Sequence, residues 1–344
     1  MLRDFRASAR LVLTLSFAAL ATPVLADGVV NIYSYREPKL IDPLLQAFTA
    51  KTGIKTNVVF ATNGLIERMT AEGKNSQADV LLTNESGLLI QAVAAGVTAP
   101  LKSEIVDKAI PAELREPGGH WFALTRRARI VYASKDRVAQ KSINYEDLAD
   151  PKWRGKICMR SGQHTYNIAL IASMIEHLGE EKAEAWLTGL KNNLARKPAG
   201  GDREQVRDVK AGLCDLAIGN TYYMVQMLKT PDQKPWADSV NMLFPNADGR
   251  GTHVNASGMA RAANAPNAAN AQALMEFLVS PEAQNLYAEA DGEYPVVAGV
   301  KASETVESWG PLKADPLPLS KIAEFRKKAS EMVDRVRFDA GPNS

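Results

Sequence analysis

The sequence is poor in the residues that most often announce chemistry. Its 344 residues include two cysteines, Cys158 and Cys214, and four histidines, His120, His164, His177 and His253. None of these falls into a CxxC, Cys/His or His/Glu spacing that would hold zinc or haem, so metal ligation by sulfur or imidazole has no pattern behind it. No GxSxG, phosphate-binding loop or GxGxxG after the first strand is present, and an enzymatic reading therefore lacks a nucleophile or cofactor motif. Charge of one sign is lacking too. The 41 basic residues stand against 39 acidic ones, a formal net charge of +2, with no long basic run or aromatic-interleaved patch, which sets nucleic acid aside as a partner. No apolar run reaches the roughly 20 residues that a membrane span needs. Internal repeats and low-complexity stretches are absent as well.

What is present begins at the N-terminus. Arg3, Arg6 and Arg10 precede and flank an apolar run from Leu11 to Leu20, followed by small residues and Val24, Leu25 and Ala26. That order reads as a secretory signal peptide over residues 1–26, cleaved after Ala26. With no cysteine near the cleavage point there is no site for a lipid anchor, and a soluble protein in a bacterial periplasm is expected. The 318 residues left after removing those 26 from 344 exceed what one core usually serves, so two domains are expected. In an oxidising compartment Cys158 and Cys214 are candidates for a disulfide, with two separate buried thiols as the other arrangement.

From Val29 onward strand-like and helix-like segments alternate. Val29 to Tyr33 reads as a strand, Leu44, Leu45 and Phe48 as a helical stripe, and Thr56 to Phe60 as a second strand. Asp42 and Pro43 are the expected cap and first position of that helix, and Gly53 its stop. A second unit places a helix near Leu65 to Ala71, a strand at Ala78 to Leu82 and a helix from Leu88 to Ala95. This is βαβ grammar, and it predicts an α/β fold with parallel strands. Two strands are expected at Trp121 to Leu124 and Ala128 to Ala133, another at Lys156 to Met159, helices over Ile168 to Leu178 and Glu181 to Lys191, and a strand from Cys214 to Gly219. A helix starts near Thr221, and Ser280 with Pro281 and Glu282 caps a further one. Two more helices are predicted near Leu319 to Arg326 and Ala329 to Val336.

Oxygen donors are where the chemistry concentrates. Gly219-Asn220-Thr221-Tyr222-Tyr223 ends an apolar strand and opens a helix with two tyrosines in its first turn. Unpaired N–H groups and the positive end of the helix dipole there are expected to ease phenol ionisation. The plain alternative is one ring in the core and one in solvent. Tyr166 stands in the same kind of place, after the strand ending at Met159, with His164 two residues before it. A Cys158–Cys214 bridge would set the two strands side by side and bring Tyr166 near Tyr222 and Tyr223. Three phenolates suit a hard trivalent cation such as Fe3+, because oxygen ligands match hard metals and three negative charges balance it. Tyr33, Tyr35 and Arg36 sit at the end of the first strand, where α/β sheets present ligand-facing groups. Arg127 and Arg129 share one face of a strand and could hold a carbonate or carboxylate through a planar fork, with a solvated strand edge as the alternative.

Taken with Tyr33-Ser34-Tyr35-Arg36 and Arg127-Ala128-Arg129, the segments Asp150-Pro151-Lys152-Trp153-Arg154-Gly155-Lys156, Gly219-Asn220-Thr221-Tyr222-Tyr223 and Phe277-Leu278-Val279-Ser280-Pro281-Glu282 resemble the periplasmic ferric-iron-binding proteins of bacterial ABC importers. The resemblance covers nearly the whole chain after the signal peptide. It implies a two-lobed type II periplasmic binding protein, each lobe a mixed, mostly parallel sheet flanked by helices, joined by two crossing strands. The lobes would comprise residues 27–127 with about 250–300, and 128–249 with about 301–344. It further implies Tyr166, Tyr222 and Tyr223 as iron ligands and Arg36, Arg127 and Gln163 as contacts of a synergistic carbonate or bicarbonate, with Tyr33, Tyr35 and Arg129 as additional cleft residues. Glu37 and Pro38 stand where many relatives carry a histidine or tyrosine, which resembles the subgroup that holds iron from one lobe. The implied role is capture of Fe3+ by a monomer and delivery to an inner-membrane permease, not catalysis. A carrier of a small organic solute or anion, and less readily a periplasmic enzyme, are the alternatives.

Overall fold

The structure is a computed structural model and describes residues 28–342, so the signal peptide read over residues 1–26 lies outside the described residues. Ten strands are present among them: β1 (Val29–Ser34), β2 (Lys55–Phe60), β3 (Val80–Thr83), β4 (Thr98–Ala99), β5 (Phe122–Ser134), β6 (Ile157–Cys158), β7 (Leu216–Asn220), β8 (Val240–Leu243), β9 (Val254–Ala262) and β10 (Tyr294–Pro295). They run in the order β2-β1-β3-β9-β5-β7-β6, with β4, β8 and β10 attached to β9 and β5. The first half of β5 pairs with β9, from Phe122 opposite Met259 to Ala128 opposite Val254, and its second half pairs with β7 and β8. Thus β5 and β9 link two α/β lobes, one built on β1, β2 and β3 and the other on β6, β7 and β8.

The sheet is mixed, as expected, but its parallel share is smaller than expected. Only β1–β2, β1–β3 and β6–β7 are parallel, because β5 and β9 run back through the sheet and pair antiparallel with every neighbour. The two strands expected at Trp121 to Leu124 and Ala128 to Ala133 are one 13-residue strand with a bulge between Ala123 and Thr125. Thr125, Arg126 and Arg127 break the apolar pattern, yet they continue the strand because Thr125 and Arg127 meet buried partners, Ser257 and Glu293. The first helix spans Pro38–Thr52 and does not wait for Asp42 and Pro43. Pro38 occupies the first turn, where a missing N–H costs nothing, and Pro43 is carried inside. Gly53 ends the helix in the left-handed region at φ 76°, its N–H donating to the Thr49 carbonyl. Ile41, Leu44, Leu45 and Phe48 form the buried face of this helix, each such side chain contributing about 1.5–3 kcal/mol.

Ser280 accepts from the Ala283 N–H and Pro281 opens the helix Pro281–Asp291, as read from the sequence. At the other end of the chain the helices Leu319–Glu324 and Arg326–Arg335 pack on the helix Thr165–Leu178. Cys158 and Cys214 are bridged, with Cα atoms 5.8 Å apart. The bridge ties β6 to the residues entering β7, which lies parallel beside it. The two strands leading to the tyrosines are therefore neighbours both by pairing and by covalent bond.

Candidate functional site

Backbone register puts the tyrosine pair where it is. Arg129 pairs with Asn220, and the next residue, Thr221, is stitched to Ala128 twice: its N–H donates to the Ala128 carbonyl at 3.0 Å and its Oγ1 accepts from the Ala128 N–H at 3.3 Å. One step further, the helix Tyr222–Lys229 starts beside Arg127, whose guanidinium lies 5.9 Å from the centre of the Tyr222 ring. Tyr223 stacks at a tilt on Tyr222 with ring centres 4.2 Å apart. Tyr166 arrives from the helix Thr165–Leu178, whose N-terminus is capped by His164 Nδ1 accepting from the Tyr166 N–H. The loop before it is clamped by Asp339, which accepts from the Ser161 hydroxyl and the Gly162 N–H. Gly162 needs to be glycine because a Cβ would lie 2.8 Å from Phe338. These constraints bring the Tyr222 and Tyr166 hydroxyl oxygens to 3.2 Å.

The three phenols line a cleft of about 270 Å³ together with Tyr35, Arg36, Asn84, Arg127, Arg203 and Glu293. Cations surround the rings. Arg160 lies 5.6 Å from the Tyr166 ring centre and Arg203 5.9 Å from that of Tyr223. The expectation that the helix N-terminus would ease ionisation of the pair does not hold for the protein alone. Burial pushes the Tyr222 phenol well above its ordinary value, and the neighbouring Tyr166 and Tyr223 oxygens push in the same direction, with Arg127 opposing. Burial also raises the Tyr223 phenol, with Asp202 and Tyr166 adding to it. Both phenols are therefore protonated at neutral pH until something more strongly positive than a helix end and the surrounding arginines replaces the proton.

Arg127 is 2 % exposed and sits in a central strand, not on a solvated edge. One Nη donates to the Asn84 carbonyl and Nε lies 3.7 Å from Glu293, whereas Nη1 has no hydrogen-bond partner. Arg36 faces the same carboxylate, Nη1 to Oε2 at 3.4 Å. Burial disfavours the Glu293 carboxylate, but Arg127 and Arg36 outweigh it and hold the acid below the usual range. Arg129 lies deeper, paired with Asp202 and donating to Asn167 and Asn220. Asp202 also takes Arg160, so this buried group braces β5, β7 and the tyrosine loop from behind.

Not every sequence-predicted residue reaches the cleft. Gln163 is turned away: its amide bonds the Ser330 carbonyl, Ser330 hydroxyl and Asp334 on the helix Arg326–Arg335. Tyr33 also points elsewhere, its hydroxyl donating to Glu72 and its ring lying under Arg68. Tyr35 lines the cleft while its hydroxyl accepts from the Ile66 N–H. His164 packs edge-on against Tyr166 with ring centres 4.6 Å apart, and burial lowers its pKa to about 4, with Arg160 adding to the shift. Glu293, Asp202, Arg160 and Arg203 were not foreseen. Glu293 follows an ordinary helix end, and nothing in its spacing from Arg36 or Arg127 marks it.

The profile of the bacterial extracellular solute-binding proteins matches residues 75–314. The chain belongs to this family. Its members are binding proteins, and so is this chain, not an enzyme. A curated relative, iron uptake protein A1 of Synechocystis, is 42 % identical over 309 residues, 89 % of this chain and 86 % of its own. A solved structure of a Bordetella ferric binding protein superposes with a TM-score of 0.86 at 53 % identity, covering 90 % of this chain and 99 % of that one. A Trichodesmium protein, solved in complex with iron and citrate, gives 0.87 at 42 % identity over 90 % of this chain and all of its own. These likenesses extend across both lobes, so the solute-binding fold is that of the whole described chain. Among the described residues no helix is long and apolar enough to cross a membrane, and no cluster of three His, Cys, Asp or Glu is assembled.

Proposed function

We propose that this solute-binding protein captures Fe3+ in the periplasm, holding it through the phenolates of Tyr166, Tyr222 and Tyr223, and delivers it to an inner-membrane ABC permease. The observation that carries this reading is the 3.2 Å separation of the Tyr166 and Tyr222 oxygens inside a cleft that Tyr223 also lines. Adjacent ligands of an octahedron with metal–oxygen bonds of about 2.1 Å lie roughly 3 Å apart, so two of the three donors stand near ligand spacing. Three phenolates neutralise the three charges of the ion, and oxygen donors suit a hard cation. The names of the relatives, an iron uptake protein and a ferric binding protein, point the same way.

Three protein oxygens leave an octahedral ion short of donors. Arg127 with its unpartnered Nη1, and Arg36 beside it, can place a small oxyanion in the remaining positions; carbonate or bicarbonate is the proposed one, bound by the guanidinium fork. Gln163, read from the sequence as a third contact, has no part in this version because its amide is engaged elsewhere. The proposed lobes, residues 27–127 with about 250–300 and 128–249 with about 301–344, would close on the ion by hinging in β5 and β9. The test is a visible absorption titration of iron-stripped protein with chelated Fe3+, alone, with bicarbonate and with citrate. A saturable phenolate-to-iron charge-transfer band at one equivalent is expected, strengthened by bicarbonate. No band under any of the three conditions would defeat the ligand set.

A further inference from the structure

Resting on that reading of the cleft as a ferric site, we infer that Thr165 is a positioning residue for the Tyr166 phenolate. Glu85 and Arg326 hold it in a clasp that ties the head of the Tyr166 helix to the other lobe. Glu85 stands just after β3, at the N-cap of the helix Ser86–Ala94, where its Oε2 accepts from the Gly87 N–H at 2.8 Å. Its other oxygen, Oε1, accepts from the Thr165 hydroxyl at 2.7 Å. The same hydroxyl accepts from Arg326 Nη2 at 2.6 Å, and that nitrogen lies 3.5 Å from Glu85 Oε1. Three elements therefore meet at one hydroxyl: the helix after β3, the helix Thr165–Leu178 of the lobe of β6, and the helix Arg326–Arg335 near the end of the chain. The Glu85 side chain is 4 % exposed, so these charge-assisted bonds are made away from bulk water, where they are stronger.

The surroundings fit this clasp. A Cβ at Gly87 would run into the Arg326 guanidinium and lie 2.7 Å from Glu85 Oε1, so glycine leaves the room that the clasp occupies. The helix Leu319–Glu324 touches both Ser86–Ala94 and Thr165–Leu178 and delivers Arg326 to the point where those two helices begin. Asn84, next to Glu85, lines the cleft and takes Arg127 on its carbonyl. One short turn after β3 thus holds the anion-facing arginine by its backbone and the Tyr166 helix by its next side chain. The two close phenols reach the cleft by different routes. Tyr222 takes its place from Thr221, which is bonded to Ala128 on β5, whereas Tyr166 follows from Thr165. The 3.2 Å between their oxygens therefore depends on the clasp, and loosening it lets one donor drift from the other. The number of donors stays the same, but the ion is released sooner.

The test compares three variants with wild type. Thr165→Val keeps the shape and removes the hydroxyl, and Thr165→Ser gives the hydroxyl back. Gly87→Ala leaves Thr165 alone and pushes Arg326 and Glu85 Oε1 away from it; Gly87 lies outside the left-handed region, so its backbone accepts alanine without strain. Hydrogen exchange is followed by mass spectrometry in the iron-free proteins at the Asn167 and Ile168 amides, which donate to the His164 carbonyl. Exchange there should quicken in Thr165→Val and Gly87→Ala and stay at the wild-type rate in Thr165→Ser. The ferric-loaded proteins are then mixed with excess EDTA and the decay of the visible band is timed. Release should speed about tenfold or more in Thr165→Val and Gly87→Ala, the size of one lost bond to a charged group, and stay within about twofold of wild type in Thr165→Ser. A thermal melt checks folding, and Gly87→Ala carries the test if Thr165→Val does not fold. Unchanged exchange in the folded variants overturns the clasp. Faster exchange with an unchanged release rate, or equal speeding by Thr165→Ser, overturns the positioning role. A ferric band missing from every protein would instead sink the iron reading, and the exchange rates would still decide whether the clasp holds the helix.

Discussion

Replacing Tyr222 with Phe changes one oxygen and keeps the ring, so its effect isolates the phenolate. In the iron-free protein, burial and the two neighbouring phenols hold this group well above its ordinary pKa near 10. Ionising it at pH 7 therefore costs at least about 4 kcal/mol, counted as three or more pKa units at 1.36 kcal/mol each. Only a bound cation offsets that cost, which means that loading exchanges protons for iron. The sign follows directly. The protons are on the oxygens before loading and absent after it, so ferric affinity rises with pH and iron leaves as pH falls. With Tyr166, Tyr222 and Tyr223 all ligating, loading near pH 7 should release about three protons from the protein, and the logarithm of affinity should climb by up to about three per pH unit. The assay is proton release into a weakly buffered indicator dye, corrected with a protein-free blank for the iron chelator. Tyr222→Phe should release one proton fewer and shallow the slope by about one. The same release in both proteins would remove Tyr222 from the ligand set however strongly the variant's colour had faded.

The same structure yields three shorter predictions. Arg127→Leu leaves Glu293 buried with one cation in place of two, so unfolding in urea should show a loss of about 3–5 kcal/mol and the ferric band should lose its bicarbonate dependence; a stable variant that still responds to bicarbonate would remove Arg127 from the anion site. Replacing Cys158 and Cys214 together with Ala opens a loop spanning 56 residues of sequence and should lower stability by about 4 kcal/mol, read from the denaturant midpoint at matched slope. His164 and His253 are lowered to about 4 and about 3, in both cases by burial first and then by arginines, Arg160 and Arg129 respectively. Both are neutral in the native state, so stability is fully present above the unfolded pKa near 6.5 and falls as pH drops from there toward 4 and below. Melting temperatures of wild type and His253→Asn across pH 7 to 4 should converge on the acid side, and parallel curves would count against the imidazole.

How much of this was legible in the sequence depends on the range of the interaction. Elements specified by their own residues were placed well: Gly53 stops a helix because a left-handed φ favours glycine, and Ser280 with Pro281 starts one because both satisfy first-turn requirements locally. The approach of Tyr166 to Tyr222 was legible at one remove, since the cysteines on adjoining strands give the strand pairing that carries both tyrosines forward. The errors came where a distant partner decides. Thr125 to Arg127 look like a break between two strands until Glu293 and Ser257 arrive from elsewhere in the chain to satisfy them, and the break becomes the middle of the longest strand. Gln163, an anion contact by the family resemblance, has its amide held by Ser330 and Asp334 on a later helix, partners that its own neighbourhood in the sequence does not show. Ionisation of the phenols failed for a related reason: a helix end is a local attribute with an effect of about 0.3–2 kcal/mol, whereas burial is imposed by both lobes and outweighs it. A sequence therefore names the donors of such a site more readily than their protonation, because donors are residues and protonation belongs to the assembled surroundings. Glu293 is the sharpest instance, since its carboxylate is held ionised despite burial only when the chain places it beside two arginines that lie 257 and 166 residues earlier.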